Sequence, residues 1–154
     1  MTKILTFFEY KDDEVLRNHQ HYAQRYGYSH EWVDTSFLAH ELLRVAYKYN
    51  YLLQHLKASP DGGLVMLLDG HTAIFHPISI DEMMVGRDAF VCYGSENTGG
   101  QFAPMNNLFI VRNTVENRAR LHEMLLALHC RLAAQTHHLD ELGWLKAFEV
   151  MPTN

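Results

Sequence analysis

The sequence predicts an α/β domain in which helices flank a central sheet. Three observations carry that expectation. Strand-like and helix-like segments alternate along the chain with no composition break, repeat or linker. The opening segment, up to Val33, reads strand, helix, strand. The run Leu64-Val65-Met66-Leu67-Leu68 is continuously apolar and ends in Asp69-Gly70-His71, the pattern of a central strand covered on both faces. At 154 residues and 47% hydrophobic content, the chain fits one domain with a sizeable core.

Residues 3–9, rich in Ile, Leu and Phe, form the first expected strand. Asp12-Asp13-Glu14 then supply negative charge at a helix N-terminus. Val15, Leu16, His19, Tyr22, Ala23 and Tyr26 recur at helical spacing, and Gly27 ends the helix. A second strand follows over 28–33, with Tyr28, His30 and Trp32 on one face. Asp34-Thr35-Ser36 are suited to cap a helix over about residues 37–57. Leu38, Leu42, Val45, Tyr49, Leu52, Leu53 and Leu56 make its apolar stripe, and Arg44, Lys48, Tyr51 and His55 line another face. Pro60-Asp61-Gly62-Gly63 is a turn leading into the central strand.

Beyond it, Thr72 to Phe75 reads as a short edge strand closed by Pro77, and Ser79 caps a helical turn or two over 80–84. Ala89 to Tyr93 is another strand. Gly94 through Pro104, with three glycines and small polar residues, reads as a loop. Leu108 to Val111 is a further strand, Thr114 caps a helix reaching Leu132, and a last helix is expected around Leu139 to Phe148.

Composition narrows the function. Against 13 basic residues stand 18 acidic ones, a formal charge of −5, which disfavours nucleic acid as a partner. No apolar run approaches the ~20 residues that span a bilayer, so no membrane span is expected. The first strand is too short for a signal-peptide core and runs into acidic residues. Cys92 and Cys130 lack metal or redox spacing and read as buried free thiols of a reducing compartment; a cytoplasmic location is expected. The 11 histidines show neither H-E-x-x-H nor paired Cys/His spacing. A structural zinc site is therefore not expected, and a metal-dependent hydrolase lacks a ligand set.

Chemistry concentrates at Asp69-Gly70-His71. An acidic residue at the carboxyl end of a central strand lies where open α/β sheets bind ligands. Gly70 permits a sharp turn or a close approach. Asp69 and His71 could aim an oxygen and an imidazole at one divalent cation, a donor pair that suits Mn²⁺ better than Mg²⁺. The alternative is that Asp69 caps the turn and His71 is an exposed loop residue.

Four stretches in order resemble GT-A-type glycosyltransferases of the galactosyl- and mannosyltransferase kind. Asn18-His19-Gln20-His21-Tyr22-Ala23-Gln24-Arg25-Tyr26-Gly27-Tyr28 resembles that family's early helix. The helix with Arg44 and Lys48 resembles its basic helix, and Leu67-Leu68-Asp69-Gly70-His71 resembles its D-x-D motif in a D-x-H form. Met105-Asn106-Asn107-Leu108-Phe109-Ile110-Val111-Arg112-Asn113 resembles the strand after its sugar site. Together these span residues 3 to about 125. The resemblance implies a single-domain, Rossmann-like GT-A nucleotide-sugar-binding fold with a mostly parallel central sheet.

By the same resemblance, Thr6, Phe7, Phe8 and Tyr10 lie by the nucleoside base, and Arg44 and Lys48 face the diphosphate. Asp69 and His71 hold Mn²⁺ or Mg²⁺ between the phosphates, and Asn106 and Asn107 lie near the donor sugar. Two departures stand out: His71 replaces a second carboxylate, and Leu108 replaces a glycine after the asparagine pair. Family members also carry more sequence after the D-x-D strand. Here only His137-His138-Leu139-Asp140-Glu141-Leu142 offers late residues, with Asp140 or Glu141 as base and His137 or His138 as a further ligand; an acidic helix N-terminus is the alternative. The implied activity is metal-dependent transfer of a sugar from a nucleotide-diphosphate sugar, expected to be UDP-linked, to an unspecified acceptor. The competing expectation is a catalytically degenerate member acting as a nucleotide-sugar-binding or protein-interaction module. Tyr47, Tyr49 and Tyr51, with an exposed edge strand, permit a homodimer.

Overall fold

A computed structural model describes residues 1–94 and 103–133, together with 145, 146 and 148. The elements are β1 (Thr2–Phe8), α1 (Asp13–Tyr26), β2 (Ser29–Asp34), α2 (Glu41–Ala58), β3 (Leu64–Asp69), α3 (Ile80–Met83), β4 (Ala89–Gly94), β5 (Ala103–Arg112) and α4 (Val115–Ala133). The strands form one five-stranded sheet in the order β2-β1-β3-β5-β4.

The sheet is mixed, which corrects the expectation of a mostly parallel one. β1 pairs in parallel with β2 and β3, whereas β5 is antiparallel to both β3 and β4. A parallel return needs a crossover of about a dozen residues or more. The connection from Gly94 to Ala103 is shorter, so β5 reverses and inserts between β3 and β4.

Alternation along the strands divides the core between the two faces. Leu5, Phe7, Val33, Val65, Leu67, Phe109 and Val111 pack with α2 and α4, and buried Leu145 and Phe148 join them. Ile4, Leu64, Met66, Leu68 and Ile110 pack with α1 and α3. β3 is covered on both sides, as its continuous apolar run predicts. Winding from β1 through α1 to β2, then back through α2 to β3, puts the two helices on opposite faces.

The local signals at α1 hold. The Asp12 carboxylate accepts from the N–H groups of Glu14 and Val15, and Gly27 closes the helix at φ 71° in the left-handed region. Ser79 and Glu82 form a capping box at α3, and Thr114 accepts from the Asn117 N–H.

Three expectations need correction. α2 starts at Glu41 rather than near 37, because Asp34 accepts the Ser36 N–H in a tight turn and the chain stays non-helical through His40. Thr72 to Phe75 is not a strand; side chains of α1 take up its backbone groups instead of a neighbouring strand. Both thiols are free, but neither is buried: Cys92 is half-buried and Cys130 exposed on α4. Among the described residues, no helix is long and apolar enough to cross a membrane.

Candidate functional site

A cleft of about 210 Å³ opens at the carboxyl ends of β1 and β3, against the first turns of α2. The sheet order reverses direction here, so the connections leave on opposite faces and the strand ends part. Phe7, Phe8 and Glu9 come from β1 and its exit, Asp69 and His71 from β3 and its exit, and Thr35 from the exit of β2. Glu41, Arg44, Val45 and Lys48 come from one face of α2.

Six residues expected from the sequence therefore meet in one place: Phe7, Phe8, Arg44, Lys48, Asp69 and His71. Strand parity explains why Phe7 and Asp69 do. They are register partners on adjacent parallel strands, and both share the parity of the residues that face α2.

Gly70 brings the two strand ends together. Its N–H donates to the Phe7 carbonyl at 2.8 Å. A Cβ added there would lie 2.6 Å from the Phe8 Cβ and 3.1 Å from the Phe7 carbonyl oxygen, so no side chain fits. Asp69 then makes a turn of its own, with Oδ1 accepting the His71 N–H at 2.9 Å and its carbonyl accepting the Thr72 N–H at 3.1 Å. This is the capping role weighed as an alternative, and His71 is exposed.

The cationic wall is partly engaged. Arg44 donates through Nη1 to the Leu38 carbonyl at 2.8 Å, and the same nitrogen lies 3.5 Å from Glu9 Oε1. The Lys48 ammonium lies 4.7 Å from the centre of the Tyr49 ring. With Glu9, Glu41 and Asp69 set against Arg44 and Lys48, carboxylates outnumber the permanent cations by one. Thr35, at the cleft edge, bonds the Phe8 carbonyl through both its N–H at 2.9 Å and its hydroxyl at 3.0 Å.

Other expected residues lie elsewhere. Thr6 faces α1, the opposite side of the sheet from the cleft, and is fully buried between His19 and His30. Tyr10 is 70% exposed and does not line the cleft. Asn106 and Asn107 lie just past the Leu68–Leu108 pair, at the end of the sheet where β3 finishes, without lining the cleft. The Asn107 side-chain oxygen is buried and has no hydrogen-bond partner among the described residues. Asp140, Glu141, His137 and His138 fall outside the described residues. Sequence reasoning passed over Glu9, Thr35 and Glu41. Only Glu41 left a signal, since with Val45 and Lys48 it follows helical spacing.

The fold is glycosyltransferase-like. It matches a solved structure described as a glycosyltransferase involved in the glycosylation of the major capsid of PBCV-1, with a TM-score of 0.58 and 12% sequence identity. The match covers 81% of this chain and 65% of that one, so the chain spans about two-thirds of that structure's length. No family model matches the chain, and no curated protein sequence matches it. Among the described residues, no group of three or more His, Cys, Asp and Glu side chains is arranged to hold a metal ion.

Proposed function

We propose that this chain is a GT-A-type glycosyltransferase that binds a nucleotide-diphosphate sugar, with UDP as the expected nucleotide, and transfers the sugar to an acceptor. One observation carries the reading. Arg44, Lys48, Asp69 and His71 converge on a single cleft at the carboxyl ends of β1 and β3, in a glycosyltransferase-like fold. In this reading Phe7 and Phe8 border the nucleoside, and Arg44 and Lys48 offset diphosphate charge. Asn106 and Asn107, beside the end of β3, would lie near the donor sugar.

The charge balance bears on the metal. A cleft with one more carboxylate than permanent cation repels a bare diphosphate, so a divalent cation would have to enter with it. Asp69 and His71 provide an oxygen and a nitrogen donor, a set compatible with Mn²⁺ and incomplete without phosphate or water oxygens. Bound there, the cation would stabilise the charge developing on the departing nucleoside diphosphate. Glu9 would hold Arg44 in place until phosphate competes for it.

A second reading, a nucleotide-sugar-binding module without turnover, is favoured by the prior engagement of Asp69 Oδ1 with the His71 N–H. Calorimetry with UDP tests the common ground. Binding should require Mn²⁺ and weaken by about tenfold or more in Asp69→Ala. Absence of UDP affinity with and without metal would sink both readings. Release of free sugar from a UDP-sugar by the native chain, absent in Asp69→Ala, would then separate enzyme from binder.

A further inference from the structure

The segment leaving β3 is held along its length by α1. His19 bonds the Thr72 carbonyl through Nε2. Asn18 grips Ile74 twice, donating to its carbonyl at 3.0 Å and accepting its N–H at 2.7 Å. Further along, Tyr22 donates to the Ile78 carbonyl at 2.6 Å and Tyr26 to the Pro77 carbonyl at 2.8 Å. Of these anchors, His19 acts nearest Asp69-Gly70-His71, and it is fully buried.

The neighbours of His19 fix where its proton sits. Trp32 Nε1 can only donate, so His30 Nδ1 accepts at 3.0 Å and His30 Nε2–H donates to Thr6 Oγ1 at 2.8 Å. The Thr6 hydroxyl then donates to His19 Nδ1 at 3.0 Å, leaving Nε2–H to donate to the Thr72 carbonyl, which can only accept. One neutral tautomer of each imidazole satisfies every group in the chain. Burial lowers the pKa of His19, and burial followed by repulsion from His19 lowers that of His30 to about 4, so both rings stay neutral near neutrality.

We infer that His19 is a positioning residue for the cleft: from the opposite face of the sheet, its Nε2–H holds the Thr72 carbonyl and so fixes the turn that presents Asp69 and His71. The inference rests on the nucleotide-sugar reading for its purpose, but the holding of the turn can be read without any ligand. Thr72 closes that turn through its own N–H on the Asp69 carbonyl, so freeing its carbonyl loosens the turn at its exit. A residue acting at a distance in this way alters affinity by ordering its partner.

Two substitutions separate this role from general packing. His19→Gln keeps an N–H donor at the Nε2 position, whereas His19→Asn places its polar group only at the Nδ1 position, towards Thr6. Amide hydrogen exchange in the ligand-free chain is the first readout. In His19→Asn the His71 and Thr72 amides should exchange at least about tenfold faster while Val65 and Leu67 keep native protection; His19→Gln should stay within about threefold of native. Equal exchange in the two variants, or native protection of the turn in His19→Asn, overturns the inference. If His19→Asn does not fold, His19→Gln decides alone: a tenfold loss of turn protection with an intact core overturns it, and near-native protection supports it.

Calorimetry with Mn²⁺ and UDP is the second readout, with about tenfold weaker binding expected in His19→Asn and recovery in His19→Gln. A native chain that binds no UDP defeats the nucleotide reading, and the exchange data still decide whether His19 holds the turn.

Discussion

Side chains at the cleft act through proximity, and two substitutions test that directly. Gly70 lies so close to Phe8 that a methyl group would sit 2.6 Å from its Cβ, with backbone behind it. Gly70→Ala should therefore destabilise the fold by about 1–3 kcal/mol, read as a lower urea midpoint, because the ends of β1 and β3 must part. An unchanged midpoint would mean that the strand ends are not locked. Glu9 lies 3.5 Å from Arg44 and competes with any phosphate for it. Glu9→Gln should raise UDP affinity measured with Mn²⁺ by about threefold, the scale of a partly exposed ion pair. A fall in affinity would show that Glu9 helps binding rather than opposing it.

Among the elements, α1 does more than cover the sheet. Its Asn18, His19, Tyr22 and Tyr26 take the place of a partner strand for the segment after β3, which is why Thr72 to Phe75 does not pair. α2 supplies the opposite wall of the cleft, yet begins without a side-chain cap: His40 is extended at φ −104° and makes no capping bond. His40→Ser would offer a hydroxyl to the N–H groups of the first turn. It should stabilise the chain by about 0.5–1 kcal/mol, measured as a rise in melting temperature. No rise would mean that those N–H groups already have partners.

For the molecule as a whole, buried His19 and half-buried His30 set a pH dependence. His30 has a pKa of about 4 in the fold against 6.5 for an unperturbed side chain, chiefly through burial. Between those values the unfolded chain binds more protons than the folded one. Stability should then be independent of this group above pH 6.5, decline as pH drops towards 4, and change no further below that. His19, also lowered by burial, acts in the same direction. Urea midpoints at about pH 7.5 and about pH 5 should show the fall, and His30→Gln should flatten it. Equal midpoints in the native chain would mean that these rings are not held neutral.

The sequence by itself determined what depends on neighbours along the chain. The apolar run 64–68 named the central strand, Asp12, Gly27, Ser79 and Thr114 marked helix ends, and Asp69-Gly70-His71 marked the strand terminus where the cleft opens. Tertiary structure decided what depends on pairing and on faces. Local pattern does not state strand order, so the reversed β5 was hidden in a connection too short for a parallel return. Thr6 and Phe7 are adjacent in sequence but point to opposite sides of a pleated strand; only the packing of α1 and α2 shows which side holds the cleft. Glu9 and Thr35 carry no motif, because their place at the site comes from where three strand ends meet in space.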